Sequence, residues 1–239
     1  MTRGILIAGN ESTLSQAIEA EAAKRVEHFA IALIPNRLSD PVRTSPFAGA
    51  ADDPSGAASP AKTSVDTARL PLQWNPGSPI SARALVLASE SRLEHTDEAI
   101  LICAPPSIRR AAAELSMTDI EILVNDHVKA WFSLVRELAA LFRARRSGIL
   151  ALVYSELGPG GGKDDAADIL GPSALASFRA FTRSLLASAS GEPYLTLGFS
   201  GSDAGDEAGF ASFIFRILDE GNRRNNGRLH KYGKLGIFR

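Results

Sequence analysis

Apolar positions in this chain follow two rhythms. Short continuous runs, "GILIAG" at 4–9, "HFAIALI" at 28–34, "EAILIC" at 98–103, "GILALVYSE" at 148–156 and "YLTLGFSG" at 194–201, have the length and composition of strands buried on both faces. Between them the spacing changes to threes and fours. Leu14, Ala17, Ile18, Glu21 and Ala22 fall on one helical period, and Ser78-Pro79 opens a second helix in "SPISARALVLASESRL". A single long helix is expected over "DIEILVNDHVKAWFSLVRELAALFRARR", with Arg143, Arg145 and Arg146 at the end where the helix dipole favours cations. "GPSALASFRAFTRSL" and "GFASFIFRILDEG" read as two more helices, and "RLPLQW" and "NGRLHKYGK" as two further strands. Roughly seven strands alternating with about six helices predict a three-layer α/β fold, a Rossmann-like doubly wound parallel sheet. A chain of 239 residues of this kind commonly forms one domain, so 1–239 is read as a single unit. From about 39 to 66 the chain turns to Pro, Gly, Ala, Ser and Asp without apolar period, which predicts a surface excursion.

Composition removes several function classes. Lys and Arg number 26 against 27 Asp and Glu, with no long run of either sign, so neither nucleic acid nor an anionic membrane surface is expected as a partner. One cysteine and four histidines offer no disulfide framework and no metal-ligand spacing. "MTRGILIAGNE" turns polar too early for a secretory segment, which predicts a cytoplasmic protein. "GPGGGKDD" lacks the Ser or Thr that follows Lys in a phosphate loop, because Lys163 precedes Asp164, and "GFSGS" is not the GxSxG of a hydrolase elbow. Cys103 closes an apolar strand with no His near it in sequence and reads as a small buried hydrophobe. Trp131 and Phe132 read as core or interface aromatics, and "GNRRNNGR" as a solvated turn.

The order of segments, together with "AGNESTLS" after the first strand, "ILVNDHVKAWFSL", "GILALVYSE" and "FTRSL", resembles the short-chain dehydrogenase/reductase family over nearly the whole chain outside 39–66. The resemblance implies a Rossmann fold, NAD(P) as cofactor and carbonyl reduction as chemistry. It puts Gly9, Ser12, Leu14 and Ala104 at cofactor-facing positions and Asn125 and Ser155 at two of four catalytic positions. It also exposes departures. Thr13 and Ser15 stand where the family has its second and third loop glycines, Glu11 adds a carboxylate there, and "CAPP" replaces NNAG. Gly171 stands where the family has its catalytic Tyr and Leu175 where it has Lys, at positions that face a cleft in the family. Only a short "SDAGDEA" follows the sixth strand, where active members carry a longer lid.

The expectation is a non-catalytic protein of this type with no cofactor or only weakly held NAD(P). It acts as a homo-oligomer or as a hetero-oligomer with an intact relative, joined through the helices around Trp131 and Phe178. Two rivals stand beside it. One is a divergent NAD(P)-dependent oxidoreductase that recruits Ser155, Tyr154 or Lys163 as proton donor. The other is a module that binds a small metabolite in the vacated cleft. With Tyr and Lys missing, Ser155 and Asn125 are expected to hold the fold by hydrogen bonding.

Overall fold

The structure is a computed structural model, and it describes residues 3–34, 68–106, 112–156, 168–202 and 205–233. The excursion at 39–66, Lys163 and most of the Gly-rich segment before 168 lie outside the described residues.

Seven strands, β1 (Ile5–Asn10), β2 (Phe29–Ile34), β3 (Arg69–Pro71), β4 (Glu98–Cys103), β5 (Ile149–Ser155), β6 (Leu195–Gly201) and β7 (Leu229–Tyr232), form one sheet in the order β3-β2-β1-β4-β5-β6-β7. Every pairing is parallel, which explains why the strands read as unbroken apolar runs: helices cover both faces. On one face α1 (Thr13–Ala22) and α6 (Glu207–Glu220) pack over Ile5, Ile7, Ile100, Ile102, Ala151, Val153 and Phe199. On the other, α2 (Pro79–Leu93), α4 (Ala130–Arg145) and α5 (Leu170–Ser188) cover Leu6, Ala8, Leu101, Leu150, Leu152 and Tyr154. Successive strand residues thus serve the two cores alternately. The strand order reverses between β1 and β4, and a crevice at that point is where sheets of this kind take ligands.

The expected long helix is in fact broken. α3 (Met117–Val124) starts with Ser116 as N-cap in a reciprocal pair with Asp119, and α4 begins only at Ala130. Between them Asn125–Lys129 forms a π turn in which the Ala130 amide donates to the Asn125 carbonyl, five residues back. The wider turn turns the polar pair Asp126 and His127 into the interior.

An ion network ties the first and last segments together. Arg3 donates to Glu98 of β4 at 2.6 and 2.8 Å and to Asp219 of α6, and Arg25 joins Asp219 at 3.0 Å to Glu21 of α1. Burial raises the Glu98 carboxyl above its ordinary range while Arg3 pulls it back. Among the described residues no helix is long and apolar enough to cross a membrane.

Candidate functional site

The crevice at the C-terminal ends of β1 and β4 is built first from the turn between β1 and α1. Gly9 is required there by packing: a Cβ on it would lie 2.2 Å from the Ile102 carbonyl oxygen of β4. Ser12 is the N-cap of α1, accepting from the Ser15 amide at 3.1 Å, while Ser15 Oγ accepts from the Ser12 amide at 3.0 Å. Ser15, at the third glycine position of the resemblance, is fully buried in this reciprocal cap. Two amides of the helix start are therefore already satisfied by the chain's own side chains. Thr13, at the second glycine position, is exposed, with its hydroxyl 3.4 Å from Glu207 of α6. Leu14 is buried in the core between α1, α6 and the sheet. The Glu11 amide donates to the Ile34 carbonyl, which fastens the turn to β2.

The crevice floor is polar and sealed. Asn10, at the end of β1, accepts from the Ala104 amide at 3.1 Å through Oδ1, and its Nδ2 lies 3.5 Å from His127 Nδ1 in the π turn. Both side chains are buried, and burial drives the His127 pKa down to about 4, so the neutral ring can accept from the Asn10 amide. Sequence reading did not single out Asn10 or His127. The available signal was the polar triplet "NDH" on the apolar period of a helix.

Ser155 ends β5 opposite Gly201, and the alternation of the strand carries it to the side of Ala151 and Val153. Asn125 opens the π turn and packs against Gly77, where an added Cβ would lie 3.3 Å from the Asn125 Cβ. The two are thus held by different parts of the scaffold, Ser155 at the β5–β6 junction and Asn125 beside the turn that precedes α2.

The Tyr and Lys positions of the resemblance do not face an open cleft. Gly171 is buried in the first turn of α5, where its amide donates to Asp168 Oδ1 at 3.0 Å. A Cβ there would lie 2.9 Å from Asp168 Oδ2 and 2.9 Å from the Pro106 carbonyl oxygen. Leu175 is one turn further on, inside the core. The expectation that both positions line a cleft is corrected on this point: the loop after β4 and the cap of α5 close over the first, and the second belongs to the apolar interior. Pro106 closes the "CAPP" stretch read against NNAG, but its place over Gly171 was not read from sequence, and Asp168 belongs to no recognisable motif.

Burial holds two groups near the strand ends away from their ionised forms. Cys103 is fully buried and desolvation pushes its thiol far up. The Tyr154 phenol is also raised by burial, with Arg179 opposing.

No family model and no curated protein matches the chain. Solved structures do. A short-chain dehydrogenase from Mycobacterium smegmatis superposes with a TM-score of 0.68 at 12% identity, covering 98% of this chain and 93% of that one. A short-chain dehydrogenase/reductase of Serratia marcescens gives 0.59 at 15%, covering 96% and 95%. The NADH-dependent reductase A1-R', solved in complex with NAD, gives 0.67 at 12%, covering 96% and 94%. The chain has the three-layer Rossmann-like fold of short-chain dehydrogenase/reductase structures, over nearly its full length.

Proposed function

We propose that this chain is a non-catalytic protein on a short-chain dehydrogenase/reductase scaffold, working as an oligomer-forming subunit, either with itself or with an intact relative. The observation that carries the reading is the filled space at Gly171: no side chain can reach from that position without moving Pro106 and Asp168. The family's proton donor has neither its residue nor its room, and without a donor hydride transfer to a carbonyl has no matching proton step. NAD(P) is held weakly or not at all, because the Ser12–Ser15 cap uses helix amides that a pyrophosphate would need.

The subunit role is supported by what lies outside. Phe132 is 56% exposed on α4 and packs on Phe181 of α5 at a ring separation of 4.5 Å, and Ile120 and Val124 of α3 and Leu87 of α2 are exposed as well. Ala176 and Ala180 are exposed on α5, small enough for a partner helix to approach closely.

Titration calorimetry with NADH and NADPH tests the cofactor part, the expected result being no binding tighter than about 1 mM, about −4 kcal/mol. A low-micromolar dissociation constant would overturn it. Light scattering tests the subunit part: the wild-type chain, alone or mixed with an intact relative, should form an oligomer that Phe132→Ser weakens. A stable wild-type monomer with no captured relative would remove the subunit role.

A further inference from the structure

The outward faces of α4 and α5 are lopsided in charge. At α4, Lys129, Phe132, Arg136 and Ala140 are exposed at spacings of three and four, and on α5 so are Ala176, Ala180, Arg183 and Ala187. Phe132 and Phe181, their ring centres 4.5 Å apart, join the two faces into one. Leu170–Ser188 contains no Asp or Glu. Ala130–Arg145 contains one, Glu137, which is mostly covered and lies 3.7 Å from Arg136. Two acids brought to α4 from elsewhere are already engaged, Glu192 with Arg143 and Glu90 with Arg145. Lys129 and Arg183 are in no ion pair among the described residues. The chain as a whole has 26 basic against 27 acidic residues, so the positive surplus is local to this face.

We propose that this face docks a different chain of the same fold whose matching helices carry Asp and Glu, and not a second copy of this chain. The inference rests on the subunit reading above and names its partner. A two-fold pairing sets one patch against itself, so with Lys129, Arg136 and Arg183 on both sides the exposed charges that meet would all be positive, and like charges set opposite each other work against association. An acidic face turns the same contacts into ion pairs around the apolar centre at Phe132 and Phe181. The alanines fit a helix as the occupant: they let a backbone approach closely, and they offer little apolar area to a lipid surface.

A charge-reversed copy of the full chain, with Lys129→Glu, Arg136→Glu and Arg183→Glu, stands in for the partner. All three positions are exposed, so the copy should melt close to the wild type; Arg183→Glu alone serves if it does not. In sedimentation velocity at about 0.05 M sodium chloride, each chain alone should be a monomer at micromolar concentration. Their equimolar mixture should be a 1:1 dimer, weakened by Phe132→Ser in the wild-type partner, whose dissociation constant rises about tenfold or more by about 0.5 M salt. A wild-type dimer at low salt overturns the choice of partner and leaves the subunit reading standing. A mixture that stays monomeric, or a mixed dimer indifferent to salt, overturns the charged face, and the subunit reading then falls only if an intact relative also fails to bind. Wild-type chain recovered with phosphatidylserine vesicles and not with the reversed copy overturns the proposal in favour of a lipid surface.

Discussion

Acidification of the chain isolates one buried ring. His127 sits in the π turn with its Nδ1 facing the Asn10 amide, and burial lowers its pKa from the ordinary 6.5 to about 4. In the unfolded chain the imidazole takes a proton near pH 6.5, whereas in the folded chain it stays neutral until about pH 4. The stabilisation is fully present above pH 6.5, declines with a limiting slope of about 1.4 kcal/mol per pH unit as the pH falls, and levels off below pH 4. The drop from 6.5 to about 4 integrates to about 3 kcal/mol, a sizeable part of a typical domain's stability. Glu21 and Asp219, held low by Lys24, Arg25 and Arg3, also lose their contribution in acid, so the raw curve contains more than one group. Urea denaturation from pH 7.5 to 4.5 on the wild type and on His127→Gln cancels these shared contributions. The stability difference between the two should shrink or reverse by about 2 to 3 kcal/mol across that range. Parallel curves, or an imidazole seen by NMR to titrate near 6.5, would refute the buried-neutral assignment.

Two further outcomes test the packing. Gly171→Ala, which in an open helical position gains up to about 1 kcal/mol, should instead destabilise by about 1–2 kcal/mol because its Cβ meets the Pro106 carbonyl and the Asp168 carboxylate; a stabilised variant in chemical denaturation would show that the space is free. Cys103 should resist a thiol reagent in the native chain at pH 8 and react stoichiometrically in urea, and rapid native labelling would contradict its burial.

The strands were legible because a parallel sheet covered on both faces leaves no polar side to confuse the period, and the bounds of β1, β2, β4, β5 and β6 follow the apolar runs within a residue or two. The π turn was not. It places Asp126 and His127 in the interior, where His127 meets a partner, Asn10, 117 positions away. The same limit governs the site. That Gly171 and Leu175 lack the family's chemistry can be read by alignment, but that Pro106 closes over Gly171 needs the path of the β4–α3 connection in space. Caps were within reach locally: Ser78-Pro79 opened α2 as expected, and "STLS" holds a two-serine version of the reciprocal cap normally recognised by Glu or Gln.

The pairing of α1 with α6 sets a waiting time during synthesis. Thr13 and Glu207, which meet at the start of these two helices, are 194 positions apart, and the core they cover includes Ile5, Ile7, Leu14 and Ile18 at the front of the chain. At the usual pace of translation, about 5–20 residues per second, that stretch takes roughly 10–40 s to make. For that interval the first strand and helix present an uncovered apolar face to the cell. Nascent-chain complexes stalled before residue 207 should therefore recruit holding chaperones, and those stalled late enough for α6 to clear the exit tunnel should release them.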